Sequence, residues 1–349
     1  MSLQAAHQTR LDYFAQFNRV AAQQFKMQVL NVKTDFGAVG DGAKDDTTRV
    51  LAALAAAKAN GGGTVFFPVG TYLVQPYAIV LDTSTVCLQG DGGALPVYGR
   101  GTTITAAGPG TIIKGPTFSA SSPTPVNNLY NVRVSRLTLA WAPAARHQPH
   151  CRGIDLSGLN SSVFEQVTVS LPIGSAAYAF YGTTTAIADV GQGTDWNEFL
   201  ACTVDGEEGG GTPITPGSKG YYFATNSSND GGGSNSNNIL GGRVASCDVN
   251  YHIENAYGTG LTNISSDVPR TCHVQAGSPT AGVVDGIIGL VRYLEGGQFG
   301  AKFGDAGNPN VKNCTIQAGY IAPGITPVDP GSTHGNNNAV VQGQTVYSV

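Results

Sequence analysis

The spacing of hydrophobic and polar positions changes near residue 63. Between about Leu3 and Phe25, apolar residues recur every three or four positions, which predicts an amphipathic helix. A second helix is predicted from Asp45 or Asp46 to Ala59, because aspartate is a favourable N-cap and the following Asn-Gly-Gly-Gly a favourable stop. After this stop, short β-like runs separated by Gly, Pro or Asn clusters replace the helical spacing.

A short sequence frame recurs through the second half of the chain. Cys272-His-Val-Gln-Ala-Gly277 returns as Cys314-Thr-Ile-Gln-Ala-Gly319, and the same frame fits the residues that begin at Cys202 and Cys247. The gaps suit one or two coils of a β-solenoid whose loops vary in length. We therefore expect the four cysteines to stack at equivalent inward positions, each acting as a small hydrophobic residue.

Composition narrows the class of protein. The chain has 349 residues, 48 of them Gly, with 41% hydrophobic residues, 12% charged residues and a net charge of -4. This apolar content excludes a disordered chain, and the glycines lack the spacing of collagen. No basic run or membrane-length apolar stretch occurs, so we expect neither a nucleic-acid partner nor membrane insertion.

One segment near the N-terminus is more specific than the rest. It reads Val32-Lys-Thr-Asp-Phe-Gly-Ala-Val-Gly-Asp-Gly-Ala-Lys-Asp-Asp-Thr-Thr48, and after the alanine-rich helix it continues as Gly61-Gly-Gly-Thr-Val-Phe-Phe-Pro-Val-Gly-Thr-Tyr-Leu-Val74. This segment resembles the opening of the pectate-lyase-like superfamily and is similar to bacteriophage tailspikes in particular. The resemblance implies an all-β chain folded as a single-stranded right-handed parallel β-helix, with capping helices at its N-terminal end. It divides the chain into a helical anchor (1–28), the β-helix (29–322) and a C-terminal tail (323–349) whose strand we expect to be exchanged between subunits.

The resemblance also implies a function and partners. A tailspike is a receptor-binding virion protein, so we expect recognition of a host cell-surface polysaccharide, with its depolymerisation as a further expectation. The expected assembly is a homotrimer that attaches to phage tail proteins through the N-terminal helix, made in the host cytoplasm without a signal peptide. Two alternatives stay open: a free-standing polysaccharide lyase or glycoside hydrolase, and a non-catalytic structural or adhesive virion protein.

The densest acidic region supplies the first candidate site. Glycoside hydrolysis normally uses two carboxyl groups, and Asp195 and Glu198 are the leading pair, with Asp205 behind them. Aromatic side chains near these acids are predicted to bind the sugar rings; they are Trp196, Tyr221 and Tyr222.

A second candidate site combines a histidine with two acids. His252 and Glu254 are predicted to face solvent from one strand, about 7 Å apart, and Glu295 is expected one or two coils above them. No cofactor or metal is predicted. The one metal-like run, His147-Gln-Pro-His150-Cys151, has no second ligand group at a suitable spacing.

Overall fold

A computed structural model describes residues 28–92, 101–116, 128–145, 150–171, 177–183, 185–187, 190–192, 194–206, 216–224, 234–254, 256–277, 284–304, 310–332, 338–342 and 345–348. Most of these residues lie in short strands. One α-helix, α1 (Thr47–Ala59), and one 3-10 turn (Pro143–Ala145) complete the secondary structure of the described ranges. The helix predicted between Leu3 and Phe25 lies outside these ranges. Of the predicted N-terminal anchor, residues 1–28, only residue 28 is described.

The strands, in chain order, are β1 Val29–Asn31, β2 Asp41–Asp45, β3 Gly63–Phe67, β4 Gly70–Val74, β5 Ile79–Val80, β6 Val86–Gly90, β7 Thr102–Ala106, β8 Thr111–Lys114, β9 Leu129–Tyr130, β10 Arg133–Ser135, β11 Thr138–Trp141, β12 Arg152–Asp155, β13 Leu159–Asn160, β14 Val163–Glu165, β15 Thr168–Leu171, β16 Tyr178–Thr183, β17 Thr185–Ile187, β18 Val190–Gln192, β19 Glu198–Leu200, β20 Thr203–Gly206, β21 Lys219–Ala224, β22 Asn238–Leu240, β23 Arg243–Ala245, β24 Val249–Ile253, β25 Ala256–Tyr257, β26 Gly260–Asp267, β27 Cys272–Ala276, β28 Val284–Asp285, β29 Ile288–Glu295, β30 Phe299–Phe303, β31 Val311–Lys312, β32 Thr315–Ala318, β33 Thr326–Val328, β34 Ala339–Gln342 and β35 Thr345–Ser348.

Most strands stack into four parallel ladders, one for each side of a repeating coil, whereas β17 and β18 pair antiparallel with each other. Ladder A runs β1-β3-β6-β10-β14-β19-β22-β26-β29-β32-β34. Ladder B runs β2-β4-β7-β11-β15-β20-β23 and joins the second halves of β26 and β29. Ladder C runs β5-β8-β12-β16-β21-β24-β27-β30-β33, and ladder D consists of the short sets β9-β13 and β25-β28-β31. The predicted right-handed parallel β-helix is therefore confirmed.

The parallel ladders extend beyond residue 322, where the sequence placed the end of the solenoid. β33 pairs with β30 on ladder C, and β34 pairs with β32 on ladder A. β35 then turns back antiparallel to β34. Both final ladder strands thus complete coils of their own chain, and exchange of this segment between subunits stays a prediction.

The helix α1 covers the N-terminal end of the solenoid, as the sequence predicted. Its side chains Val50, Ala53 and Ala57 are fully buried. Asp46 occupies the N-cap position, but its carboxylate caps no helical N–H. Instead it accepts hydrogen bonds from the backbone N–H groups of Val39 and Gly40, both at 2.8 Å. The predicted capping role of Asp46 is corrected to that of a clamp on the preceding turn.

Asp46 and Asp45 form a matched pair for a stability test. Asp46 is fully buried, so Asp46→Ala is expected to lower the free energy of unfolding by about 3 kcal/mol, because two charge-assisted hydrogen bonds are lost. Asp45 is exposed and accepts bonds from the Thr47 N–H and the Gln75 side-chain amide, both at 2.8 Å. Because water can replace these exposed bonds, Asp45→Ala is expected to cost about 1 kcal/mol. Urea unfolding of the two variants measures the difference. Equal costs would contradict the clamp.

Aromatic rings fill the middle of the core. The ring of Tyr221 stacks on Phe180 at 4.6 Å and on Tyr251 at 5.4 Å between ring centroids, and it meets the edge of Phe199 at 5.2 Å. The three stacked rings come from corresponding positions of β16, β21 and β24. Stacking of like residues at one register position is what a solenoid produces when successive coils repeat the same inward site.

The cysteine frame identified buried residues but placed them in the wrong register. Cys202, Cys247, Cys272 and Cys314 are all buried, and burial raises the pKa of each thiol. They do not share one position, however: Cys272 begins β27 on ladder C, whereas Cys202 precedes β20 on ladder B and Cys314 precedes β32 on ladder A. Similar four-residue strands occur on several sides of a coil, so the sequence similarity does not mark equivalent sites.

Candidate functional site

The outer face of ladder C carries a continuous set of aromatic and charged side chains. These side chains come from two positions of the ladder-C strands, each repeated from coil to coil. One position is occupied in successive coils by Arg152, Tyr178 and Lys219. The other is occupied by Asp155, Tyr181, Tyr222 and His252. Because paired strands lie about 4.8 Å apart, these side chains contact one another along the solenoid axis.

Two cations lie against the faces of three tyrosine rings. The Lys219 ammonium is 3.5 Å from the ring centroid of Tyr222 and 5.4 Å from that of Tyr178. The Arg152 guanidinium is 3.7 Å from the ring centroid of Tyr181. The ring pairs Tyr178–Tyr222 and Tyr178–Tyr181 have centroids 4.8 and 5.5 Å apart. The rings therefore form one surface, which cation–π contacts help to hold in place.

A hydrogen-bonded triad of side chains adjoins this surface. The Tyr222 hydroxyl donates to Glu254 Oε1 at 2.8 Å, and His252 Nε2 lies 3.5 Å from the same oxygen. His252 stacks on the Tyr222 ring with a centroid distance of 5.1 Å. His252 Nε2 also lies 3.2 Å from the Gly277 carbonyl oxygen, which can only accept, so this nitrogen carries the proton. The buried Nδ1 is then an acceptor with no partner among the described residues.

Burial changes the proton affinities of the site. It lowers the pKa of Lys219 to about 8, against the opposing influence of Glu254 and Asp248. It lowers the pKa of His252 well below its usual value, so this imidazole is neutral at physiological pH. Burial and the neighbouring Glu254 raise the pKa of Tyr222, and burial raises the pKa of Tyr178. The site thus holds a lysine that titrates near neutral pH beside protonated phenols, a combination typical of functional sites. The set Arg152, Asp155, Tyr178, Tyr181, Lys219, Tyr222, His252 and Glu254 is called the ladder-C cluster below.

The second predicted site is partly assembled in this cluster. His252 and Glu254 contact each other, although both are almost fully buried and were predicted to face solvent. Tyr222, predicted as a sugar-binding residue, joins them. Glu295 does not, because it lies at the end of β29 on ladder B, in register with Asp267. Tyr221 is corrected to a core residue, since its side chain is 1% exposed and points into the aromatic stack.

The first predicted site is spread over three sides of one coil. Asp195 precedes the corner that leads into ladder A, Glu198 begins β19 on ladder A, and Asp205 lies in β20 on ladder B. The Asp195 carboxylate accepts a hydrogen bond from the Asn235 N–H at 2.7 Å, and burial raises its pKa. This carboxylate therefore supports the backbone of the next coil. Trp196, at the corner itself, is exposed.

Sequence reasoning missed Arg152, Tyr178, Tyr181 and Lys219. A signal for them is present in four aligned segments: Arg152-Gly-Ile-Asp155, Tyr178-Ala-Phe-Tyr181, Lys219-Gly-Tyr-Tyr222 and Val249-Asn-Tyr-His252. The third residue of each segment is apolar or aromatic and buried, and the first and fourth residues carry most of the chemistry. This second repeat is weaker in the sequence than the cysteine frame, because its first and fourth residues differ from coil to coil.

Metal-binding groups of side chains and membrane-spanning helices are both absent from the ranges that the structure describes. No three His, Cys, Asp or Glu side chains in these ranges are arranged to hold a metal ion. No helix in the part of the chain that the structure describes is long and apolar enough to cross a membrane.

Comparison with known proteins agrees with the fold. A family model described as "Rhamnogalacturonase A/epimerase, pectate lyase-like" matches residues 29–262. A curated relative, mannuronan C5-epimerase AlgE3 of Azotobacter vinelandii, is 47% identical over 81 residues, which is 23% of this chain and 4% of the relative. The chain likewise spans only 4% to 8% of the other curated relatives it matches.

Two solved structures align with the chain at low identity. An exopolygalacturonase from Thermotoga maritima aligns with a TM-score of 0.49 and 12% identity, covering 92% of this chain and 93% of that one. The tailspike of Escherichia coli bacteriophage HK620 aligns with a TM-score of 0.37 and 14% identity, covering 89% of this chain and 65% of that one.

Proposed function

Because the chain belongs to the rhamnogalacturonase A/epimerase, pectate lyase-like family, we propose that it binds an acidic polysaccharide on the outer face of ladder C. The observation that carries the proposal is the position of Lys219 over the rings of Tyr222 and Tyr178. A tyrosine ring offers a flat apolar face to a sugar, and an ammonium beside it offers a charge to a uronate carboxylate. Several relatives that match over short segments are mannuronan C5-epimerases and an alginate lyase of Azotobacter vinelandii, enzymes named for uronate polymers, which supports the same ligand class.

The biological setting that we propose is that of a tailspike-like receptor-binding protein. The segment from Val32 to Val74 resembles tailspikes, and a host surface polysaccharide would be the receptor. A homotrimer attached to a phage tail through residues 1–28 is part of this proposal. The two alternatives to this proposal are a free-standing enzyme and a non-catalytic adhesin.

Eliminative cleavage of the bound polymer is the second candidate function, and the lowered pKa of Lys219 favours it. In its neutral form the amine would accept the proton on C5 of a uronate. The C4–O bond would then break, a C4–C5 double bond would form, and the departing oxygen would take a proton from the Tyr178 hydroxyl. Arg152 is the remaining cation of the cluster that could hold the carboxylate. Hydrolysis by the Asp195–Glu198 pair lacks comparable support, because Asp195 is engaged with the backbone.

One assay distinguishes polysaccharide binding alone from binding followed by eliminative cleavage. The full chain is mixed with polygalacturonate, polymannuronate or hydroxyethyl cellulose, and both bound protein and the ultraviolet absorbance of unsaturated ends are followed. We expect at least one acidic polymer to bind tightly, and high salt to weaken this binding. Rising absorbance selects the lyase, and binding without products selects the receptor-binding role. If neither acidic polymer binds, or if Lys219→Met binds as well as the parent protein, the proposed site is wrong.

A further inference from the structure

The corner between ladder D and ladder A carries one bulky residue in an unfavourable conformation. Trp196 has a φ angle of 56°, in the left-handed region that few large residues adopt. The other residues at this corner are small or polar. With φ angles between 46° and 78°, the corner residues are Thr85, Asn131, Ser161, Trp196, Ser236, Gly258, Gly286 and Asn313.

Packing does not explain why tryptophan occupies this position. The Trp196 residue is 57% exposed, and within the described ranges its indole makes no ring contact and no hydrogen bond. The neighbouring coils place serines at the same corner. A strained residue that is more than half exposed points to a role in contacting something outside the fold.

Two further exposed aromatic residues lie one position before the same corner, Tyr130 before Asn131 and Tyr257 before Gly258. Tyr130 is 42% exposed and Tyr257 is 37% exposed. Tyr130 pairs with Asn160, the residue just before the Ser161 corner. The Ser161 N–H donates to the Asp195 carbonyl in the Trp196 coil at 2.9 Å. Tyr130 therefore lies two coils before Trp196.

The hydrogen bonds to the following coils place Tyr257 as far after Trp196 as Tyr130 lies before it. The Trp196 N–H donates to the Asn235 carbonyl at 2.9 Å, and the Ser236 N–H of that coil donates to the Tyr257 carbonyl at 2.7 Å. Tyr257 thus lies two coils after Trp196. With about 4.8 Å per coil, the three rings are spaced by roughly 10 Å along the solenoid axis.

The coils between the rings present short polar residues. Asn160 and Ser161 separate Tyr130 from Trp196, and Asn235 and Ser236 separate Trp196 from Tyr257. Asn160 is buried and its Oδ1 accepts the Asp195 N–H at 2.9 Å, and Asn235 Oδ1 is buried as well. The partly exposed hydroxyls of Ser161 and Ser236 are the groups that suit hydrogen bonds to sugar hydroxyls. The alternation of a flat apolar ring with a short polar residue repeats every two coils.

We propose that Tyr130, Trp196 and Tyr257 form an aromatic strip that binds an extended 1,4-linked polysaccharide lying along the solenoid axis. Such a polymer advances by about one strand spacing per sugar, so the rings would contact every second sugar through its apolar face. The strip is separate from the ladder-C cluster, because the chain passes through residues 156–160 between ladder C and this corner. It contains no cation, so its binding does not require a charged sugar.

Tryptophan fluorescence gives a direct test, because the chain has only two tryptophans and Trp141 is 2% exposed. Acrylamide quenching of the full chain therefore reports mainly on Trp196. We expect hydroxyethyl cellulose, a neutral 1,4-linked glucan, to protect Trp196 from quenching. Among cello-oligosaccharides, affinity is expected to rise with length and level off at about five sugars, which span the four coils from Tyr130 to Tyr257. Unchanged quenching at saturating glucan would overturn the proposal.

Substitutions separate a binding role from a structural one. Trp196→Gly is expected to weaken glucan binding at least about tenfold while leaving the thermal midpoint unchanged or higher, since glycine adopts this φ freely. Tyr130→Ala and Tyr257→Ala are expected to weaken binding similarly, whereas Tyr320→Ala, which removes another exposed tyrosine, leaves it unchanged. Lys219→Met should not affect glucan protection, so failure of the acidic site and failure of the strip are distinguishable. A lowered midpoint for Trp196→Gly, or full binding by the three aromatic variants, would contradict the strip.

Discussion

Replacing Lys219 by methionine is expected to weaken binding of an acidic polysaccharide at pH 7 by about tenfold or more, or about 1.4 kcal/mol. Methionine keeps much of the length of the side chain and removes its charge. The ammonium lies over two tyrosine rings in a half-buried setting, where a charged contact with a carboxylate is worth more than on an open surface. Equilibrium binding to polygalacturonate or polymannuronate measures the loss.

The same lysine predicts the pH dependence of binding. Its pKa of about 8 means that the protein loses this positive charge above pH 8, so affinity for an acidic polymer should fall as pH rises from 8 to 10. Lys219 destabilises the fold most below pH 8, because the unfolded chain holds the proton more tightly than the folded one. This destabilisation diminishes as pH rises from 8 to 10, so a loss of affinity over this range does not reflect unfolding caused by Lys219. Lys219→Arg is the matched control, since arginine stays charged and should bind equally at both ends of the range. A falling affinity in the arginine variant would assign the pH dependence to another group.

Replacing Tyr221 by alanine is expected to lower the free energy of unfolding by about 4 kcal/mol, because it opens a cavity in the centre of the stacked aromatic core. The ring contacts Phe180, Phe199 and Tyr251, each within 5.4 Å between centroids. Tyr221→Phe keeps these contacts and should leave stability nearly unchanged. Urea or thermal unfolding measures both effects.

The adjacent residue Tyr222 provides the contrast. Its ring lies on the outer face of ladder C, and its hydroxyl donates to Glu254 at 2.8 Å. Tyr222→Ala is therefore expected to impair polysaccharide binding more than Tyr221→Phe does, although the sequence assigned both tyrosines the same role. If Tyr221→Phe abolished binding in a fully folded protein, the assignment of Tyr221 to the core would be wrong.

The candidate site shows how far sequence reasoning extends. His252, Glu254 and Tyr222 could be found because their residue types suit saccharide chemistry. That these residues contact one another could not be predicted, because Tyr222 and His252 are thirty residues apart in the sequence. Only the register between β21 and β24 brings them side by side. The sequence does not mark Lys219 as a functional residue, because its lowered pKa results from burial and its contacts are with tyrosines of two strands.

The sequence by itself determined the class of fold. Excess glycine, low charge and short apolar runs reflect a chain that turns a corner every few residues, and the Val32–Val74 segment identifies the capped start of such a solenoid. These properties are local, because each coil needs its own turn residues and its own inward side chains. Register is not local: one cysteine frame fits strands on three different sides of the coil, and only pairing between coils assigns each strand to its ladder. The tertiary structure therefore decided which outward residues stack into a site, because loops of unequal length set how many residues separate neighbours on the same face.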